Sequence, residues 1–88
     1  LNSQQVEELR IKVECASAVQ VHDALSGLTL GFIKNKDKET VKVFENYKLV
    51  DTIPAKELFH TVSTAVFMMP IVELLIDSEP IEARESLA

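Results

Sequence analysis

Between Leu28 and Ile53 apolar and polar residues alternate, interrupted only by two short polar stretches, and this period of two does most to constrain the fold. Successive side chains of a strand point to opposite faces, so alternation commits a segment to a half-buried sheet. Three strands are expected, at 28–33, 40–45 and 48–53. Asn35-Lys36-Asp37-Lys38 forms a polar turn between the first two, and Asn46-Tyr47 a tight turn between the last two. Tyr47 is the weak joint, because a two-residue hairpin loop asks for positive φ and tyrosine tolerates it poorly.

The alternation also suggests a register. With Asn46-Tyr47 at the tip, Glu45 meets Lys48, Phe44 meets Leu49, Val43 meets Val50 and Lys42 meets Asp51, which joins opposite charges and apolar partners together. With Lys36-Asp37 at the other tip, Lys34 meets Glu39, Phe32 meets Val41 and Leu30 meets Val43. Leu28, Leu30, Phe32, Val41, Val43 and Val50 then share one face, and a slip of one residue would scatter them.

Helical spacing flanks this region. Residues 3–25 read as a helix, capped by Asn2 or Ser3 with Gln5 placed to complete a capping box. Val6, Leu9, Val13 and Ala16 make one row, and Ile11, Cys15, Ala18, His22 and Leu25 a second; Gly27 stands where a left-handed cap would end the helix. A second helix opens at Pro54 and carries the stripe Ala55, Leu58, Phe59, Val62, Ala65, Val66 and Met69. Pro70 kinks or ends it, and the apolar run continues through Ile71–Ile76. The expected fold is α+β: helix, three-stranded antiparallel meander, helix, in a single domain over 1–88 with a frayed acidic tail at 79–88. The alternative is an all-α helical hairpin, in which residues 3–34 form one helix with Gly27 and Gly31 as a close-packing seam.

Composition narrows the function classes. A 47% hydrophobic content with three prolines and two glycines describes an ordered globule. A net charge of −5 repels a phosphate backbone, so nucleic acid is not expected as a partner. The order helix, three strands, helix also occurs in double-stranded RNA-binding domains. Order alone assigns no function, and Lys56 beside Glu57 at the start of the second helix is no phosphate clamp. The apolar window 65–76 is twelve residues long and includes Pro70 and Glu73, whereas a membrane-spanning helix needs about 20 apolar residues. No membrane span is expected, and the N-terminal residues show no secretory leader. One cysteine, Cys15, points to a reducing, cytoplasmic setting.

Constellations with chemical potential are sparse. Glu57 and His60 supply only two metal ligands of the set a carboxylate-bridged site needs. On one continuous helix, Cys15 and His22 would stand about 10 Å apart by helical rise, too far for thiolate activation. Lys34, Lys36 and Lys38 read as a solvated hairpin tip or, more sharply, as a dock for an acidic partner. No catalytic residue, metal site or cofactor is assigned. The surplus of apolar residues around Phe67–Ile76, with Phe44 and Leu49 on the far face of the sheet, asks for cover by another surface. The expectation is a small, non-enzymatic interaction protein, an adaptor, inhibitor or chaperone-like factor. It would act as a homo-oligomer, most simply a dimer, and contact another protein through Phe44, Leu49, Met68, Met69 and Ile71. The alternative is a small-molecule-binding regulatory module, its pocket at the subunit interface near Tyr47, His60 and Thr64.

Overall fold

The first helix, α1 (Ser3–Cys15), starts where the sequence places it. Asn2 Oδ1 accepts from Gln5 N at 2.9 Å and Asn2 N donates to Gln5 Oε1 at 3.0 Å, a full capping box. Of the two apolar rows only one is used: Val13 and Ala16 are buried and Leu9 packs beside them, while Ile11 and Cys15 face solvent. Arg10 on the outer side bridges Glu7 and Glu14. The structure is a computed structural model that describes residues 2–77; the expected acidic tail at 79–88 lies outside the described residues.

The helix does not continue to residue 25. At Ala16 the backbone turns extended, and Ala18–Asp23 is a strand, β1. Val19 and Val21 are buried on one side of it, with Ala18, Gln20 and His22 on the other. Three further strands follow as hairpins: β2 (Thr29–Lys34), β3 (Thr40–Glu45) and β4 (Lys48–Pro54). A short 3-10 turn at Ala55–Glu57 leads into α2 (Leu58–Met68), and Val72–Asp77 forms β5. The sheet is five-stranded and antiparallel, in the order β4-β3-β2-β1-β5. The described residues are therefore α+β with two α-helices, and the three-stranded meander and the all-α hairpin are both overturned. Two segments that satisfy helical spacing, 18–23 and 72–77, are strands that extend the sheet past β2.

The pairing corrects the expected register in an instructive way. Glu45 pairs with Lys48 and Phe44 with Leu49 as expected, but a bulge between Val43 and Phe44 then sets Val43 opposite Asp51 and Lys42 opposite Thr52. Val50 is the extra residue, and it is exposed rather than on the apolar face. At the other hairpin Phe32 pairs with Val43 and Lys34 with Val41, two residues from the expected register. That shift preserves which face each side chain takes. Asp37 sets it: its carboxylate accepts from Glu39 N at 2.8 Å, Thr40 N at 3.0 Å and the Thr40 hydroxyl, closing a longer loop than a two-residue tip.

Pro70 ends α2 outright. Met69, forced away from helical backbone by the proline behind it, is extended at φ −100°. The edge strands β4 and β5 run in the same direction on opposite sides of the sheet, so the link between them must cross it. Five strands at about 4.8 Å spacing span about 19 Å. The link must also return along the strands, and it does both with the 3-10 turn, the 11 residues of α2 (about 16 Å by helical rise) and residues 69–71. The core lies between the two helices and one sheet face: Val13, Ala16, Leu58 and Val62 against Val19, Val21, Phe32 and Val41.

Candidate functional site on the open sheet face

Both helices pack on the same side, so among the described residues no helix covers the other side of the sheet. The pairings arrange its side chains in rows. The middle row crosses all five strands as Leu75, Gln20, Gly31, Phe44 and Leu49. On one side of it lie Asp77, Ala18, Ile33, Lys42 and Thr52; on the other, Glu73, His22 and Thr29.

Gly31 sits at the centre of this face, and its missing side chain leaves a dip. The dip is the floor of an open hollow of about 390 Å³ lined by Ala18, Gln20, Gly31, Ile33, Phe44 and Leu75, with Tyr47 and Asp77 at its rim. The glycine is not demanded by backbone conformation, since Gly27 is the chain's glycine with positive φ. Nor is it demanded by crowding: a Cβ at Gly31 would meet Phe44 Cβ at 3.6 Å, ordinary contact. A glycine in mid-strand costs about 0.5–1 kcal/mol relative to alanine. Its presence here keeps the hollow open.

Tyr47 is held at the rim against its own preference. Asn46 (φ 50°) and Tyr47 (φ 68°) form the β3–β4 loop with both residues left-handed, the geometry of a type I′ turn. Asn46 secures the loop to β2: its N–H donates to Thr29 O at 2.8 Å, and its Oδ1 accepts from Thr29 N at 3.0 Å. The Tyr47 ring is 81% exposed despite the backbone cost, a combination found where strain serves a site.

The polar groups beside the hollow are tied into the fold. His22 Nδ1 and Thr29 Oγ1 lie 2.8 Å apart across β1 and β2, with Glu73 next in the same row. The Asp23 carboxylate turns the other way, accepting from Ser26 Oγ at 2.7 Å and Leu25 N at 3.1 Å. The Ser26 bond, followed by that from Leu25, holds its pKa below the usual carboxylate value. Asp23 thereby clamps the β1–β2 turn, where Gly27 takes the left-handed conformation at φ 81°.

The other sequence candidates fall in separate places. Phe44 and Leu49 are neighbours on the open face. Met69 packs against the core, while Met68 at the end of α2 and Ile71 just before β5 are exposed. His60 and Thr64 are exposed on α2, joined through the Thr64 hydroxyl and the His60 carbonyl at 2.9 Å. They lie on the opposite side of the sheet from Tyr47. Cys15 ends α1 and His22 is on β1, so the helical spacing used to relate them does not exist. Lys34 leaves the basic hairpin cluster: its ammonium donates to the Glu14 carbonyl in the last turn of α1. Among the described residues no group of three or more His, Cys, Asp or Glu could hold a metal ion, and no helix is long and apolar enough to cross a membrane.

The residues that sequence reasoning missed are Gly31, Ala18, Gln20, Ile33 and Leu75. For Ala18, Gln20 and Leu75 the signal was the alternation in Ala18–Asp23 and Val72–Asp77, each of which carries its inward apolar residues at every second position; Gly31 and Ile33 follow from the alternation of the strand expected at 28–33. Comparison with protein-family models, with curated proteins and with solved structures gives no match.

Proposed function

We propose that the chain is a non-enzymatic interaction domain that assembles as a homo-oligomer in the cytoplasm and binds another protein through the open face of its sheet. The observation that carries this reading is the hollow over Gly31. It is apolar at its floor, framed by two aromatic residues, and kept open by a glycine that local geometry does not require. Its open shape suits a side chain or short apolar segment presented by a partner, since sites for small molecules usually enclose most of the ligand surface. The acidic balance of the whole chain favours a neutral or basic partner.

Gly31→Val gives a direct test, because a Cβ at Gly31 meets only ordinary contact, with the Phe44 side chain at 3.6 Å. The wild-type chain captures a reproducible protein from its host's lysate, and Gly31→Val, equally folded by circular dichroism, loses it. Equal capture by both chains contradicts the reading.

A small-molecule regulatory module is the second reading, favoured by the hollow's volume of about 390 Å³, within the range of ligand pockets. A metabolite that raises the melting temperature of wild type but not of Gly31→Val would establish it in place of the first.

A further inference from the structure

We propose that the open face takes an extended peptide segment of mixed charge, with a basic residue against Glu73, an apolar side chain over Gly31 and an acidic residue against Lys42. This rests on the open-face reading above and names the chemistry of the partner. Charge and apolar surface are sorted on this face. Its middle row, Leu75, Gln20, Gly31, Phe44 and Leu49, carries no charge. Charged groups stand outside that row: Glu73 on β5, Lys42 on β3, and Asp77 at the rim of the hollow. Protein interfaces have this pattern, with charge depleted at the centre and polar groups around it. Glu73 and Lys42 are both exposed, and neither forms an ion pair among the described residues. Acid lies on the β5 side and base on the β3 side, so a segment that carries both signs matches them in one direction only. Residues 78–88 carry three glutamates and one arginine, which sets like charge against the β5 side.

Strand spacing gives the length of the segment. Glu73 shares a row with His22 and Thr29, and Lys42 pairs with Ile33, four positions along β2 from Thr29. Three strand spacings of about 4.8 Å and four residues of about 3.3 Å put the two corners about 20 Å apart, the reach of about six residues of extended chain. The line between them passes over Gln20 and Gly31, which are paired. Gln20 is half-buried, and its side-chain amide makes no hydrogen bond among the described residues. That amide offers a carbonyl and an NH2 group, which match the N–H and C=O of a peptide unit. A helix uses its mid-chain groups internally, so a backbone that meets Gln20 is extended. Alternate side chains of such a segment face the sheet. With its base at Glu73, the side chain about four residues on reaches Gly31 and the one about six on reaches Lys42.

Amide NMR titration of the full chain with three synthetic peptides tests this. Each peptide has about seven residues, glycine and serine around a leucine. One ends in lysine and glutamate, one in lysine at both ends, one in glutamate at both ends. The mixed peptide shifts Gln20, Gly31 and Phe44 and binds about twofold to fivefold tighter than the other two, the range of an exposed ion pair. Glu73→Lys, at an exposed position, reverses the order and makes the glutamate-ended peptide the tightest. A structural role for Glu73 would not produce that reversal. Gln20→Ala weakens all three peptides alike. Equal affinity for the three, an order that Glu73→Lys leaves unchanged, or no shift on the open face each overturns the inference. Shifts on the open face without charge preference overturn it while leaving the open-face reading in place. That reading fails by a different result, equal partner capture by wild type and Gly31→Val.

Discussion

Tyr47 holds a left-handed backbone at a cost of about 1–2 kcal/mol, and glycine in its place would remove most of that cost while adding some chain entropy. Tyr47→Gly is therefore expected to stabilise the fold by about 0.5–1 kcal/mol. Thermal unfolding should show a rise of a few degrees for a domain of this size. The same substitution strips an aromatic residue from the rim of the hollow, so partner capture should weaken as stability rises. A Tyr47→Gly chain that is less stable would contradict the strain assigned to the turn. Asp23 makes a second residue-scale prediction. Its pKa is depressed in the fold by Ser26 and then Leu25, so its stabilising contribution is present above the unfolded value of about 3.9 and is lost as pH falls through the lower folded value. Urea midpoints measured from about pH 6 down to about pH 3 should fall for the wild type. Asp23→Asn should show a shallower decline over the same range, and an identical slope would remove Asp23 from the account.

At the scale of elements, burial in α2 follows the apolar stripe, which includes Leu58 and not Phe67. Leu58 is 2% exposed and Phe67 91% exposed, though both belong to α2. Leu58→Ala should cost about 2–5 kcal/mol in denaturant unfolding. Phe67→Ala should stay within about 0.5 kcal/mol, as exposed positions usually do. The capping box of α1, the stripe of α2 and the tight turn at Asn46-Tyr47 were all legible in the sequence, because each depends on neighbours within a few positions. The two outer strands were not. Val19 and Val21 in β1 also fit between rows of helical spacing, and no glycine or proline marks the turn at Ala16-Ser17. What ends the helix there is tertiary: Ser17 N and Oγ both donate to Asp77 O, at 2.9 and 3.0 Å, across 60 residues of chain. In Ile71–Ile76 a largely apolar run, interrupted by Glu73, hid a period of two, visible once Val72, Leu74 and Ile76 are seen to turn inward together. The register of β3 with β4 failed at one bulge, a feature that single-residue alternation cannot locate.

At the largest scale, the described residues place one sheet face under two helices and leave the other without one. Residues under the helices hold the fold, and the proposed contact residues lie on the far side. Of the sequence candidates only Phe44, Leu49 and Tyr47 reach the open face; Gly31 was invisible as a lining residue because a glycine has no side chain to mark it. Gly31→Ala should stabilise the chain by about 0.5–1 kcal/mol, a sign that thermal unfolding can check directly. The measurement that bears most directly on the central claim is the amide NMR spectrum of the labelled chain, titrated with the partner that capture yields. Shifts concentrated at Ala18, Gln20, Gly31, Ile33, Phe44 and Leu75 are the predicted result. Shifts confined to the outer side of α2, at His60 and Thr64, with the open face unmoved, would contradict it.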